Sequence, residues 1–198
     1  MGLSSWLFEE TNLGKENIYT EANRKLYIMA TNGTGIGVGE RFEGMTFTEM
    51  AKALVREGAN PNVNYSESPF LTHCLARWSY SKYSSQYPRG HIIHALLEAG
   101  ADPNIHDERN NTTPFHIVLK QTRGCIEVRR EEHTWESVYA CAYYFEIVVD
   151  MLKHGGLIAT LREYSDIINY LKNPESLNSE YLTEKIKSCN FNPNDYGI

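Results

Sequence analysis

The sequence has 198 residues, of which 41% are hydrophobic and 22% are charged. A chain of this size and composition can bury a hydrophobic core without metal or disulfide cross-links. The formal net charge is −6 and no basic run is longer than two residues. This charge argues against a nucleic-acid-binding protein, because such proteins need clustered Lys and Arg to contact phosphates.

The N-terminal sequence MGLSSWLFEE lacks the basic start and apolar middle of a signal peptide. No stretch approaches the roughly 18 apolar residues of a membrane-spanning helix. An even number of cysteines permits two disulfides, but their wide spacing without a CxxC pair favours reduced thiols. They are Cys74, Cys125, Cys141 and Cys189. These features predict a soluble, cytoplasmic protein.

The first predicted helix is EANRKLYIMA, from Glu21 to Ala30, followed by a glycine-rich segment from Thr31 to Met45. The glycines from Gly33 to Gly39 do not supply the third glycine of a dinucleotide-binding fingerprint. GERFEGMT matches a phosphate-binding loop except that Met45 stands at the lysine position. We therefore interpret this segment as a connecting loop without a nucleotide site.

Three segments share an apolar pattern that ends at a glycine: Met50 to Gly58, Ile92 to Gly100 and Val148 to Gly156. Apolar residues three and four positions apart predict an amphipathic helix, and the glycine predicts a left-handed C-terminal stop. One polar position repeats and is expected on the outward face of these helices. It is occupied by Lys52, His94 and Asp150.

Turn-forming residues follow the first two glycines, as Ala59-Asn-Pro-Asn62 and Ala101-Asp-Pro-Asn104. A polar loop then leads to Ser68-Pro69-Phe70 or to Thr113-Pro114-Phe115. A hydroxyl residue before proline is typical of a helix N-cap, so another helix is predicted to start at each. The repeating unit is therefore helix, turn, helix, glycine and polar hairpin.

This unit resembles the ankyrin repeat. The likeness is carried by Thr113-Pro-Phe-His116, where the family has Thr-Pro-Leu-His, and by HALLEAGADPN from His94 to Asn104. The match is close from Met50 to Leu119 and looser from Ala142 to Gly156. The sequence departs from the family pattern at two places. Leu71 stands where the second unit should have histidine, and Leu-Ile-Ala-Thr follows Gly156 where Ala-Asp-Pro-Asn is expected.

The resemblance implies an all-α ankyrin-repeat solenoid of stacked helix-turn-helix units with short β-hairpin-like loops. Its parts would be an opening repeat over 16–58, a second repeat over 59–100 and a third over 101–156. The tail, with SDIINYL and SEYLTEKIKSC, would form a helical cap over 157–198.

The spacing from Gly58 to Gly100 is 42 residues, and from Gly100 to Gly156 it is 56. An ankyrin unit has about 33 residues, so each unit carries an insertion. The surplus falls between the two helices of a unit, at Arg77 to Gly90 and at Gln121 to Ala140. With the 31–45 segment, these insertions predict enlarged loops along one edge of the stack.

The insertions are rich in Tyr, Trp and Arg, the residue types that dominate binding hot spots. Two alternatives assign these residues no binding role. The helices could extend into the Arg77–Gly90 insertion and pack its aromatic residues between units, and the charged residues of the Gln121–Ala140 insertion could form a solvated helix face. Candidate partner-binding residues in the insertions are Trp78, Tyr80, Tyr83, Tyr87, Arg89, Arg129 and Trp135.

The resemblance implies that partners bind the concave face, formed by hairpin tips and first helices. On this chain that face comprises 64–67, 105–111 and the exposed sides of 68–76 and 113–120. Its candidate residues are Tyr65, His106 and Arg109. His116 matches a family position that is usually structural.

We expect a protein that binds one or more partner proteins and uses no metal or cofactor. The alternative is a small enzyme with a Cys/His or acid–base site built from the insertions. His91 and His94 have helical spacing, but no further metal ligands can be named, and His73-Cys74 project to different sides of a helix. Irregular repeats with long insertions resemble those of secreted bacterial effectors and large-virus proteins, which would place the protein in a host cytoplasm.

Overall fold

A computed structural model describes residues 20–32, 37–65, 68–77, 89–132 and 134–198. Most of these residues are helical, which confirms the all-α class. The helices are α1 (Glu21–Asn32), α2 (Phe47–Arg56), α3 (Phe70–Arg77), α4 (Arg89–Glu98), α5 (Pro114–Glu132), α6 (Trp135–Lys153), α7 (Ile158–Arg162), α8 (Ser165–Lys172) and α9 (Glu180–Ser188). Strands β1 (Asn64–Tyr65) and β2 (Ser68–Pro69) form a short hairpin, and 3₁₀ turns cover Glu40–Phe42, Pro174–Leu177 and Pro193–Tyr196.

The helices lie in two rows. Helices α2, α4, α6 and α9 contact one another in that order, while α1, α3 and α5 form the other row and end against α7 and α8. Large apolar side chains from both rows are fully buried, among them Leu54, Leu96, Phe115, Leu119 and Phe145. Burial of this apolar stripe from each helix is what stabilises the arrangement.

The helix starts follow from local capping. Thr46 begins α2 with a capping box, since its hydroxyl accepts from the Glu49 amide while the Glu49 carboxylate accepts from the Thr46 amide. Thr113 caps α5 by accepting from the His116 amide at 3.1 Å, as predicted. Helix α3 begins at Phe70, later than predicted, because Ser68 and Pro69 belong to β2.

The enlarged loop predicted from Gln121 to Ala140 is wrong. Helices α5 and α6 are 19 residues each and cover 121–132 and 135–140 of this insertion. The segment has no proline, and its buried residues have helical spacing, Thr122 with Ile126 and Ser137 with Ala140. Thr134 starts α6 by accepting from the Ser137 amide at 3.2 Å. The alternative of extended helices therefore holds for this insertion.

The other two predicted loops are described only in part. The segment after α1 contains the 3₁₀ turn Glu40–Phe42, and Val38 and Phe42 on either side of Glu40 are buried. Most of the insertion from Arg77 to Gly90 lies outside the described residues, which bear only on its ends in α3 and α4.

Glycines with positive φ end the second helix of each pair, as predicted, but the third glycine is Gly155 and not Gly156. Gly58, Gly100 and Gly155 have φ of 95°, 95° and 93°. Gly156 takes the place of an alanine in the earlier units, where the amides of Ala59 and Ala101 bond back to the preceding helix. A Cβ at Gly156 would lie 3.1 Å from the Phe115 ring and 3.0 Å from the Met151 carbonyl oxygen.

Two asparagine side chains join successive units, and we call them the amide clamps. Asn62 donates from Nδ2 to the Gly100 carbonyl at 2.9 Å and accepts at Oδ1 from the Asp102 amide at 2.6 Å. Asn104 does the same one unit later, with the Gly155 carbonyl at 2.8 Å and the Leu157 amide at 2.9 Å. Each clamp therefore satisfies two backbone groups at the turn that ends the next unit's second helix.

The repeated polar position lies on the outward side, as predicted, and its members contact neighbouring helices, Lys52 through an ion pair and His94 through a hydrogen bond to a carboxylate. Lys52 of α2 lies 2.5 Å from the Glu98 carboxylate of α4, and His94 of α4 lies 3.0 Å from the Asp150 carboxylate of α6. The Lys52 ammonium is the main reason that the pKa of Glu98 lies below its usual value. These partly exposed pairs add only modest stability.

Asn104→Ala is expected to lower the free energy of unfolding by about 1–3 kcal/mol, because two backbone groups lose their partners. Urea denaturation followed by circular dichroism measures the change. Asn64→Ala is the matched control, since its exposed amide makes no side-chain hydrogen bond in the described part of the chain. Equal stability of the two variants would contradict a clamping role for Asn104.

Candidate protein-binding surfaces

The first surface consists of the accessible sides of α1, α3 and α5 and of the turns that precede α3 and α5, and we call it the inner face. At one end, Tyr65 of β1 stacks on Tyr27 of α1 with ring centroids 4.3 Å apart and an interplanar angle of 18°. The His73 ring of α3 lies 5.2 Å from the Tyr65 ring and 5.9 Å from the Tyr27 ring. All three side chains are half-buried, so they form an aromatic cluster that reaches the surface.

A cleft adjoins this aromatic cluster. Its apolar wall contains Leu26, Val63 and Phe70, and its polar wall contains Asn23, Arg24 and Asn60. The Asn23 side chain accepts from the Asn60 amide at 2.7 Å, and this hydrogen bond joins α1 to the turn after α2.

The turn before α5 is organised by Asp107, which is fully buried. Its carboxylate accepts from the Asn110 amide at 3.1 Å and from the Asn110 side chain at 2.9 Å. Burial raises the pKa of Asp107, but hydrogen bonds from Asn110 and from Ser68 of the neighbouring hairpin outweigh it, so the pKa lies below its usual value. The same bonds hold the two hairpin turns side by side.

His106 and Arg109 are exposed on this turn. The His106 ring nitrogen Nε2 lies 3.2 Å from Asn111 Oδ1, and Asn111 adopts the left-handed conformation with φ 46°. The turn is thus held from within by Asp107 and presents one imidazole and one guanidinium to solvent. Both predicted side chains are thus exposed on the turn before α5.

The far end of the inner face is occupied by contacts within the chain. Arg123 of α5 lies 2.8 Å from the Asp166 carboxylate of α8 and 4.2 Å above the Tyr164 ring. The Tyr164 hydroxyl lies 3.1 Å from His116 Nε2. Burial raises the pKa of Asp166, but Arg123 outweighs it and the pKa is lowered. His116 and Arg123 therefore attach α5 to the C-terminal helices.

The second surface lies where α5 ends and α6 begins, and we call it the helical tip. It consists of Trp135 and Tyr139, which are 71% and 46% exposed, together with Tyr181 of α9. Val128 is 45% exposed but lines a separate groove with Ser137, Ala140 and Tyr144. The Tyr139 ring lies 6.4 Å from the Trp135 ring and packs edge-to-face on Tyr181 at 5.0 Å. Burial raises the pKa of the Tyr181 phenol.

Arg129 lies beside the helical tip but is half-buried and turned towards the C-terminal elements. Its Nη2 donates to the Asn178 carbonyl at 3.3 Å, and Nη2 of Arg130 donates to the Tyr170 hydroxyl at 2.5 Å. Both arginines therefore form hydrogen bonds that attach α5 to the C-terminal elements.

The predicted residues divide between these two surfaces. Tyr65, His106 and Arg109 lie on the inner face, and Trp135 lies at the other end of α5, which is about 28 Å long at 1.5 Å per residue. Trp78, Tyr80, Tyr83 and Tyr87 lie outside the described residues, and Arg89 begins α4 with its side chain undescribed.

Sequence reasoning missed Tyr27 and Tyr139 as surface residues. Tyr139 could have been found, because Trp135 and Tyr139 are four residues apart and share one face of a helix. Tyr27 had no such signal, since its partner Tyr65 is far away in the sequence.

The cysteines show no sign of activation. Burial raises the pKa of Cys125 to about 11, of Cys141 to about 12 and of Cys189 to about 11, and Cys74 is fully buried. Within the described ranges, no group of three or more His, Cys, Asp or Glu side chains is arranged to hold a metal ion. The same ranges hold no helix with both the length and the apolar character needed to cross a bilayer.

Comparison with known proteins gives one similarity over part of the chain. Mouse Rabankyrin-5, whose name refers to ankyrin, is 33% identical over 78 residues, which cover 37% of this chain and 6% of Rabankyrin-5. The chain therefore spans a small fraction of the length of that protein. No family model matches the sequence, and no solved structure matches it.

Asp107→Asn is expected to lower the free energy of unfolding at pH 7 by about 1–3 kcal/mol, since one of the two accepting carboxylate oxygens is replaced by an NH2 group, which cannot accept. The lowered pKa of Asp107 means that its ionised form stabilises the fold above the unfolded pKa of about 3.9. This contribution is lost progressively as the pH falls from about 4 through the lowered pKa of the folded state. The free energies of unfolding of the wild type and the variant should therefore converge at low pH. Urea midpoints at pH 7 and pH 3 measure both effects, and a constant difference between them would contradict this role.

Iodoacetamide is expected to label all described cysteines slowly at pH 7, each at least ~10-fold more slowly than in urea, because raised pKa values leave little thiolate. Peptide mass spectrometry over a time course measures each rate. One thiol that reacts faster in the folded protein than in urea would support the enzyme alternative.

Proposed function

We propose that this chain is an ankyrin-type repeat domain that binds a partner protein through its inner face. The proposal rests first on the repetition of one turn in successive units. The amide clamps Asn62 and Asn104 occupy the same place in Ala-Asn-Pro-Asn and Ala-Asp-Pro-Asn, and both engage a positive-φ glycine. The similarity to Rabankyrin-5 supports the same assignment.

The observation that carries the binding role is the composition of the inner face. The Tyr27–Tyr65–His73 cluster supplies rigid aromatic area with polar edges, and the exposed His106 and Arg109 stand on the neighbouring turn. Aromatic residues and Arg bury much contact area at little cost in side-chain entropy, and a polar rim adds hydrogen bonds. The turns are held by internal hydrogen bonds, so little order has to be gained on binding.

His106→Ala/Arg109→Ala is expected to reduce recovery of the bound partner by at least ~10-fold, because both exposed side chains of the turn are lost. The measurement is affinity capture from candidate lysates, quantified by mass spectrometry against the wild-type chain. Arg162→Ala/Lys172→Ala is the control pair, since both residues are exposed and lie on α7 and α8.

A partner that is recovered equally with wild type and the inner-face pair would contradict binding through this face. Tyr65→Phe provides a milder test of the cluster, because it keeps the stacked ring and removes only the hydroxyl. It should retain the fold and reduce recovery less than the double variant.

A further inference from the structure

We infer that His154 is a pH-sensitive link between α4 and α6, whose ring holds both helices at once only when it is protonated. It belongs to a row of side chains on the outward sides of α2, α4 and α6, and we call this row the outer network. The members of the outer network are Lys52, His94, Glu98, Asp150 and His154. They are separate from the inner face, so the link does not depend on the proposed partner binding.

Both ring nitrogens of His154 face groups that only accept hydrogen bonds. Nδ1 lies 2.8 Å from the Asp150 carbonyl oxygen and 3.5 Å from the Asp150 carboxylate, within α6. Nε2 lies 3.2 Å from the Glu98 carboxylate of α4. A neutral imidazole has one N–H and donates on one side, whereas the protonated ring donates on both. The proton therefore lets His154 bond to its own helix and to α4 at the same time.

The position of His154 favours its protonated form. It is the C-cap of α6, and a cation is stabilised at a helix C-terminus by the unpaired carbonyl groups. The pKa of the Glu98 carboxyl is held below its usual value mainly by Lys52 and in part by His154, so Glu98 is ionised in the pH range where imidazoles titrate. The next residue, Lys153, is turned to a backbone carbonyl at the end of α9.

The charges of the outer network favour the uptake of one proton. With both imidazoles neutral, the network has two carboxylates and the Lys52 ammonium, so its net charge is −1. His94 gains less from this proton than His154, because its Nδ1 faces the Asp150 carboxylate, at 3.0 and 3.1 Å, and a neutral ring donates to it. A second proton is opposed by repulsion, since the two ring centroids lie 6.3 Å apart. The first proton therefore belongs on His154.

The link acts where α6 is attached to the preceding unit. His154 directly precedes Gly155, whose carbonyl accepts from the uncharged Asn104 clamp of the turn after α4. The stabilisation from the protonated ring is present at acid pH and is lost as the pH rises through the range in which imidazole loses its proton. The end of α6 should therefore be held more firmly at about pH 5.5 than at about pH 8.

Urea unfolding of the full chain at pH 5.5 and pH 8, followed by circular dichroism, compares the wild type with His154→Gln, which cannot take up a proton. The unfolding constant of His154→Gln relative to wild type should be at least ~3-fold larger at pH 5.5 than at pH 8. His91→Gln is the matched control, since His91 is exposed on α4 and makes no ion pair within the described residues. Its ratio should not rise at acid pH.

Glu98→Gln separates the bond to α4 from the effect of the helix end. In a Glu98→Gln background, the pH-dependent ratio for His154→Gln should fall to less than about half, because Nε2 no longer faces a carboxylate. An unchanged ratio would assign the effect to the end of α6 alone and would overturn the link. A ratio independent of pH in the otherwise unchanged chain would also overturn it.

Hydrogen exchange of the wild type tests the link without any substitution. The amides of Gly155 and Gly156 bond to the end of α6, and those of Gly58 and Ala59 make the same bonds at the end of α2. After correction for the intrinsic exchange rate, protection at Gly155 and Gly156 should be at least ~2-fold higher at pH 5.5 than at pH 8, with little change at the other turn. Equal changes at both turns would contradict a link at His154.

Discussion

The arrangement of this chain depends on how one two-helix unit is held against the next. Apolar burial between helix rows is strong but not directional, so it does not by itself fix the offset between units. The amide clamps add direction, since Asn62 and Asn104 each give one donor and one acceptor to backbone groups of the following turn. With Asp107 and Ser68 joining the two hairpins, these bonds set which surface residues become neighbours.

Both candidate surfaces follow from that offset. The hairpin turns lie side by side, so Tyr65 of one unit meets Tyr27 and His73 of the two adjoining helices. In the third unit α5 and α6 have 19 residues each, so Trp135 lies at the end of α5 away from the hairpin turns. One surface is thus built from ordered turns and the other from helix ends. The two candidate surfaces therefore differ in composition and lie at opposite ends of α5.

The differences between prediction and structure have specific causes. The insertion from Gln121 to Ala140 was assigned to a loop because it exceeds the repeat length, yet it has no proline and its buried residues keep helical spacing. Length alone does not distinguish a loop from a longer helix. Gly156 was predicted to end the third helix, but Gly155 has the positive φ. The sequence pattern could not distinguish them, because two adjacent glycines fit it equally. The contact of Gly156 with Phe115 decides it, and Phe115 belongs to a different helix.

The sequence by itself determined the helical class, the starts of α1 and α5 and the turns that follow Gly58 and Gly100, because these depend on residues close together in the chain. It also placed His106, Arg109 and Trp135 on exposed positions, since hairpin and helix patterns show which side is polar. Only the tertiary structure decided that Tyr27 stacks on Tyr65 and that Tyr139 packs on Tyr181. Those contacts join separate helices, and their geometry depends on the packing offset, which periodicity does not encode.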